Sequence, residues 1–171
     1  MSSRNNLRNA ASALAFAAAF ASAGTGAADG VVRYKIPNFK FPIAMGVEIP
    51  AGKNLVFLSG TTPPVIDASK PKDAVAAYGD TKTQTMGVLK TIETNLKSMG
   101  LGMQDVVKMQ VFLVGDPAKG GKMDFPGMME AYTQFFGTAD QPNLPSRSAI
   151  QVVALANPGY LVEIEVAAVR P

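Results

Sequence analysis

Three segments in the second half of the chain place apolar residues at every second position, and this alternation constrains the fold more than any other sequence feature. The segments are Asp105 to Val114, Arg147 to Leu155 and Leu161 to Val169. A period of two is the spacing of side chains on one face of a β-strand. We therefore predict three strands with a common, wholly apolar face, made by Val107, Met109, Val111, Leu113, Ile150, Val152, Ala154, Val162, Ile164, Val166 and Ala168.

The turn residues Asn157-Pro158-Gly159 separate the last two of these strands and predict an antiparallel hairpin with a loop over 156–160. In that register Arg147 lies six residues from Glu163 along the ladder, roughly 20 Å at about 3.3 Å per residue. Two side chains that far apart cannot bind one ligand within a single chain.

Two segments have the period of a helix. From Asp80 to Met99 apolar residues recur at spacings of three and four, and Gly100 ends the pattern. A second helix is predicted over Met128 to Phe136, where Met and aromatic residues form a stripe typical of a buried face. Leu55 to Leu58 predicts a further buried strand that ends at Ser59-Gly60, and residues 29–53 suit an irregular or edge-strand segment. These elements predict an α/β fold, a two-layer sandwich of a mixed β-sheet with two helices on one face.

The other face of the predicted sheet mixes apolar and charged side chains, and no third layer remains to cover it. Burial by another copy of the chain explains this mixture, so we expect a homo-oligomer. The alternative is a monomer with one solvated sheet face. The residues predicted on this face are Lys108, Gln110, Phe112, Arg147, Ala149, Gln151, Val153, Leu161, Glu163, Glu165 and Ala167.

Residues 1–28 have the pattern of a signal peptide. Arg4 and Arg8 precede a run of small apolar residues over 10–23, too short to cross a bilayer as a helix. Cleavage is expected near Ala23 or Ala28, which leaves one domain over 29–171 and predicts a periplasmic or secreted protein with no membrane association after cleavage. The alternative is a short N-terminal core helix.

The chain has neither histidine nor cysteine. This composition excludes a catalytic triad with histidine, a thiolate nucleophile, a disulfide and the usual zinc sites, so we expect no metal. The 16 basic residues exceed the 13 acidic ones by three, and by only one without Arg4 and Arg8. We therefore expect no nucleic acid as a partner.

Several motifs together resemble the YjgF/RidA family. They are Leu144-Pro145-Ser146-Arg147-Ser148 and the later strand Leu161-Val162-Glu163-Ile164-Glu165-Val166-Ala167-Ala168-Val169. Further matches are Phe57-Leu58-Ser59-Gly60, Gly100-Leu101, Asp105-Val106-Val107-Lys108 and Ala131-Tyr132 followed by Phe135-Phe136. The matches keep the family's order and cover residues 42–170, essentially the whole predicted domain.

The resemblance implies a chorismate-mutase-like fold and a homotrimer whose sheets form a central barrel, with ligand clefts between subunits. It implies cofactor-independent hydrolysis of reactive 2-imino acids and enamines, of the 2-aminoacrylate type, to 2-keto acids and ammonia. Arg147 would bind the carboxylate of a small imino or keto acid and Glu163 would orient water, the two catalytic roles. The family's other substrate-binding positions correspond to Ser59, Gly60, Ala149, Ile43 and Met129.

Two of these positions depart from the family pattern. Many deaminases have a tyrosine where Ile43 stands and an asparagine where Met129 stands. Both replacements remove a hydrogen-bonding side chain. They favour an alternative function, a non-enzymatic periplasmic trimer that binds a small carboxylate metabolite or a partner protein. A structural alternative for Arg147 is an interface ion pair with Glu163 or Glu165.

Overall fold

Two helices cover one face of a four-stranded mixed sheet in the computed structural model, which describes residues 30–171. The predicted α/β architecture is therefore confirmed. The predicted signal peptide lies outside the described residues, and no helix within them is long and apolar enough to cross a membrane. The elements are β1 (Val32–Lys35), β2 (Ala44–Glu48), β3 (Leu55–Thr61), α1 (Thr81–Ser98), β4 (Val106–Val114), α2 (Phe125–Tyr132), β5 (Ser146–Val152) and β6 (Val162–Val169).

Helix α1 agrees with its prediction to within a residue at each end. The Asp80 side chain caps it by accepting a hydrogen bond of 2.8 Å from the Thr83 N–H. Gly100 follows it with a φ of 71°, a conformation that glycine adopts without the strain of a side chain. The inner face of the helix is fully buried against the sheet, through Val88, Leu89, Ile92 and Leu96.

The predicted hairpin between the last two strands is wrong. The strand order is β3-β6-β4-β5, so β4 separates β5 from β6. β5 runs parallel to β4, whereas β6 is antiparallel to both β4 and β3. The reason is the connection through α2, which returns the chain to the beginning of β4 and makes a parallel neighbour the natural pairing.

The turn residues of the predicted hairpin instead form a loop held beneath α1. The buried side chain of Gln84 donates to the Gly159 carbonyl at 3.0 Å and accepts from the Leu161 N–H at 2.7 Å. Asn157 donates to the Lys72 carbonyl at 2.9 Å. These contacts anchor the loop to α1 and to the segment before it, and β6 then enters the centre of the sheet.

Strand β5 also shows the opposite face from the one predicted. Arg147 pairs with Met109 and Ala149 with Val111. Paired residues of parallel strands point to the same face, so Arg147, Ala149 and Gln151 lie on the helix side of the sheet. Ile150, predicted in the core, is 49% exposed on the other side. An edge strand with apolar residues at both parities gives no clear sequence signal for its orientation.

Residues 31–49, expected to be irregular or an edge strand, form the antiparallel hairpin β1–β2. It packs on Val107, Ala167 and Val169. These three residues and Val31 form a second hydrophobic cluster, on the side of the sheet away from the helices. Val107 was predicted on the helix side, but a bulge between Val106 and Lys108 reverses its direction. The second face is therefore covered at one end, contrary to the expectation that no element of the chain remained for it.

Two element boundaries differ from the predictions. Helix α2 begins three residues earlier than Met128, because Asp124 caps it and accepts from the Gly127 N–H at 3.2 Å, and it ends at Tyr132 rather than Phe136. Pro126 stands in its first turn, where a missing N–H has no cost. Strand β3 continues through Ser59 and Gly60 as an irregular stretch and ends at Thr61.

Candidate functional site

The guanidinium of Arg147 lies among three aromatic rings between β5 and the beginning of α2. Its Cζ is 4.2 Å from the ring centroid of Tyr132, 5.4 Å from that of Phe41 and 5.8 Å from that of Phe125. Its Nη1 also approaches the sulfur of Met129 at 3.2 Å. Rings at these distances attract a cation through their π-electrons. We call Phe41, Phe125 and Tyr132 the aromatic cage.

Burial affects the ionisation of both polar partners in this cage. It lowers the pKa of Arg147 from its ordinary value, although a guanidinium remains charged in proteins. It raises the pKa of Tyr132 to about 12, and the cation of Arg147 offsets part of that rise. The Tyr132 hydroxyl donates to the Pro42 carbonyl at 2.8 Å. The cage therefore holds a cation beside a neutral phenol whose proton is already engaged.

Within residues 30–171 no carboxylate oxygen lies within 4.0 Å of the Arg147 guanidinium. The alternative of an interface ion pair with Glu163 or Glu165 involves a neighbouring copy of the chain, so it stays a prediction. Removing a cation from water without a counter-charge is unfavourable, and cation–π contacts compensate only in part. An anionic group from outside the chain would complete the electrostatics of this position.

Three of the predicted site residues accompany Arg147. Met129 contacts the guanidinium from α2, and Ala149 follows on β5 along the same face. Ile43 adjoins the cage segment, since its N–H donates to the Phe41 carbonyl at 2.8 Å. The structure thus gathers Arg147, Ala149, Ile43 and Met129 into one region, which we call the cation side of the site.

The other three predicted residues lie elsewhere. The Glu163 carboxylate covers Gly60, and a Cβ at residue 60 would displace it from this position. Ser59 is exposed in the same irregular part of β3, and its carbonyl accepts from the Thr61 hydroxyl at 3.4 Å. We call Ser59, Gly60 and Glu163 the acid side of the site.

The two sides lie on opposite faces of the sheet. Glu163 pairs with Phe112, and Arg147 pairs with Met109 three residues away on the same strand. Two strand spacings and three residues of rise separate the two backbones by roughly 14 Å. Arg147 and Glu163 therefore cannot contact one small ligand within a single chain. The sequence predicted this separation, but from a wrong hairpin register.

Sequence reasoning missed two members of the aromatic cage. It assigned Tyr132 to the core, where the residue is indeed 1% exposed, but it gave no role to Phe41 or Phe125. Both phenylalanines precede a proline, at Pro42 and Pro126, where regular periodicity stops. An aromatic residue directly before a proline was the signal that the sequence offered for these two positions.

A metal site has no support in the described part of the chain. Residues 30–171 contain no cluster of three or more potential metal-ligating side chains. The side chains around the guanidinium are aromatic rings and a thioether, which suit an organic anion with an apolar part better than a hard cation.

The sequence matches the protein family described as Endoribonuclease L-PSP over residues 45–170. This match covers Arg147, Met129 and Ala149 of the cation side and all three residues of the acid side, and begins just after Ile43. The chain belongs to the YjgF/RidA family. The resemblance found from the motifs around Arg147 and Glu163 is thereby confirmed.

Individual relatives support the assignment to the YjgF/RidA family. A RutC family protein of Pyrococcus horikoshii is 35% identical over 117 residues, which cover 68% of this chain and 80% of that protein. TdcF of Escherichia coli, named as a candidate reactive intermediate deaminase, is 30% identical over 136 residues and covers 80% of this chain and 92% of its own.

Solved structures of the YjgF/RidA family have the same fold. A crystal structure of E. coli TdcF with bound serine superposes with a TM-score of 0.53 at 30% identity, and covers 76% of this chain and 93% of its own. The E. coli YjgF gene product gives a TM-score of 0.53 at 27% identity, with coverage of 79% and 93%.

Proposed function

We propose that this chain hydrolyses reactive 2-imino acids and their enamine tautomers, of the 2-aminoacrylate type, to 2-keto acids and ammonia without a cofactor. The observation that carries the proposal is the Arg147 guanidinium, which is partly buried and has no carboxylate partner among residues 30–171. A fork of N–H donors suits bidentate binding of a carboxylate. The name of the related TdcF and the serine bound in its crystal structure, which has such a carboxylate, agree with it.

The reaction needs orientation and water rather than a strong nucleophile. The water oxygen bonds to the imine carbon and its proton passes to nitrogen, after which the carbon–nitrogen bond breaks and ammonia leaves as the carbonyl forms. In this proposal Arg147 fixes the substrate carboxylate, Glu163 orients the water, and Ser59 with Gly60 lies beside the reacting end.

A complete site then requires two copies of the chain, since the cation side and the acid side lie on opposite faces of one sheet. We propose a homotrimer with a central barrel in which neighbouring subunits supply the two sides. Support comes from large apolar side chains exposed on or beside the second face: Phe57 is 74% exposed, Ile150 49% and Val153 99%. Exposed apolar surface of this extent is typical of an interface. Export through the signal peptide stays a prediction from sequence.

The proposal is tested by ammonia release from 2-imino acids generated in situ by an amino-acid oxidase. We expect the wild-type protein to release ammonia faster than spontaneous hydrolysis does. The catalysed rate should be at least about 100-fold lower in Arg147→Ala than in the wild type. Arg147→Lys should restore little of it, because the lysine ammonium lacks the fork of N–H donors. Arg170→Ala is the matched control, because Arg170 donates to the Met99 carbonyl far from the cage. Release at the spontaneous rate by the wild-type protein would refute catalysis.

One alternative has a specific observation in its favour. Ile43 and Met129 leave the surroundings of Arg147 short of hydrogen-bonding side chains, which suits a trimer that binds a carboxylate metabolite or a partner protein without turnover. The same assay separates the two functions. Binding of a 2-keto acid that depends on Arg147, with no acceleration of imine hydrolysis, supports the binding protein.

A further inference from the structure

An aromatic surface leads from the Arg147 guanidinium to solvent. Phe41 and Phe125 stack with centroids 6.0 Å apart and ring planes 10° from parallel. Phe39 extends the row, with its centroid 5.7 Å from that of Phe41. Phe39 is 56% exposed, so the far end of the row is open to solvent. We call Phe39, Phe41 and Phe125 the aromatic row.

Two of the three rings in the row, Phe41 and Phe125, belong to anchored parts of the backbone. Phe41 precedes Pro42, whose carbonyl accepts the Tyr132 hydroxyl at 2.8 Å. Phe125 begins helix α2, which Asp124 caps. The backbone beside each of the two stacked rings is therefore anchored by a hydrogen bond. A fixed apolar surface can bind a flat group without first ordering its own side chains.

The side-chain groups around the guanidinium offer a ligand little besides the cation for polar contact. The Tyr132 hydroxyl is engaged with Pro42, Met129 presents a weakly polar thioether, and Ile43 is aliphatic. A ligand whose carboxylate binds Arg147 therefore meets rings with the rest of its body. A small polar side chain would lose water contacts there and gain no replacement.

We infer that this site selects 2-imino and 2-keto acids with an aromatic or long apolar side chain over those with a methyl or methylene group. The inference rests on the proposed function, because it assumes that the carboxylate binds Arg147. A phenyl ring laid on the aromatic row buries apolar area that pyruvate lacks, which corresponds to at least about tenfold tighter binding.

The test compares phenylpyruvate with pyruvate, two stable 2-keto acids, by calorimetric titration of the full-length oligomer. Phenylpyruvate should bind at least about tenfold more tightly, and Phe39→Ala should reduce that ratio by about threefold or more. Phe39 is chosen because its exposure makes the substitution compatible with folding. Tyr34→Ala is the matched control, an aromatic residue 44% exposed on β1 outside the row.

The outcomes separate this inference from the proposed function. Equal affinities that both depend on Arg147 would overturn the preference and leave the proposed function standing. A preference that survives in Phe39→Ala and in Phe125→Leu would also overturn it, since the row would then not be its source. A wild-type protein that neither binds 2-keto acids nor accelerates imine hydrolysis would instead refute the proposed function.

Discussion

Tyr132 connects the core of this protein to its candidate site. Its ring faces the Arg147 guanidinium at 4.2 Å and stacks on Phe136 with centroids 4.9 Å apart. Its hydroxyl donates to the Pro42 carbonyl and so ties the loop of the cage to α2. The residue is 1% exposed, and its phenol is neutral in the folded state over an unusually wide pH range.

The raised pKa of Tyr132 predicts a loss of stability in alkali. Between pH 10 and the folded-state pKa of about 12, the unfolded phenol ionises and the folded one does not. The folded state binds more protons, so the free energy of unfolding falls as pH rises, by about 2–3 kcal/mol over this window. Below pH 10 the contribution is fully present. Denaturant unfolding at a series of pH values measures it.

Tyr132→Phe is the comparison for this measurement. The variant should be about 1 kcal/mol less stable near neutrality, because the Pro42 carbonyl loses its donor. Its stability should fall less steeply above pH 10 than that of the wild type. Two curves that remain parallel up to pH 12 would show that Tyr132 does not titrate with a raised pKa.

Among single residues, Arg147 could be predicted from sequence because its neighbours form a recognisable motif. The same holds for Gly60 and Glu163, which the structure places in contact. Phe41 and Phe125 could not be predicted, since a loop and the beginning of α2, 84 positions apart, meet at one cation. Periodicity describes neighbours along an element and contains no information on such a meeting.

At the level of elements, the placement of α2 decides the geometry around Arg147. Lys82 of α1 pairs with Glu130 of α2 at 2.7 Å. The loop before α2 is tied to β5 by Gln151, whose amide accepts from the Met123 N–H at 2.9 Å and donates to the Gly121 carbonyl at 3.1 Å. Gln151 therefore positions the loop that leads into the first turn of α2. It lies four residues after Arg147 on the same strand.

Gln151→Ala should loosen this loop more than it destabilises the protein. Two partly solvated hydrogen bonds are lost, so we expect at most about 1 kcal/mol in global unfolding. Amide hydrogen exchange over 121–127 should accelerate about tenfold, because local opening becomes easier. Gln134→Ala is the control, as Gln134 donates only within its own segment, to the Glu130 carbonyl. Equal exchange in both variants would show that Gln151 does not position the loop.

The success of element prediction followed how local each signal was. Helix α1 contains its own stripe, its Asp80 cap and its terminating Gly100, all within 21 positions, and its bounds were predicted closely. The pairing of β5 and β6 is non-local. A turn-like sequence at Asn157 looked like a hairpin, but the Gln84 side chain holds it against α1 instead. No local pattern distinguishes these two outcomes.

At the scale of the whole molecule, each copy of the chain has the two sides of the site on opposite faces of its sheet. The β1–β2 hairpin covers one end of the second face through Val31, Ala167 and Val169. The remainder exposes Phe57 and Ile150 beside the acid side. The surface available to another copy therefore adjoins Gly60 and Glu163.

Mixed oligomers test whether neighbouring copies complete each other. Arg147→Ala and Glu163→Gln should each abolish imine hydrolysis alone, since every cleft lacks one group. In oligomers formed by equal coexpression, about a quarter of the clefts combine an intact arginine with an intact glutamate, so about a quarter of wild-type activity should return. Activity that does not exceed that of the parent variants would place both residues in one chain's site or exclude Glu163 from it.

The aromatic cage has a consequence for the pH dependence of the proposed carboxylate binding. The guanidinium stays charged in proteins, and its closest side chains are rings and a thioether, with no imidazole or thiol in the whole sequence. Among the described residues of the same chain, the side chains that contact it do not gain or lose a proton from mildly acidic to mildly alkaline pH. If Arg147 binds a carboxylate as proposed, its own contribution to the affinity should be the same at mildly acidic and at mildly alkaline pH.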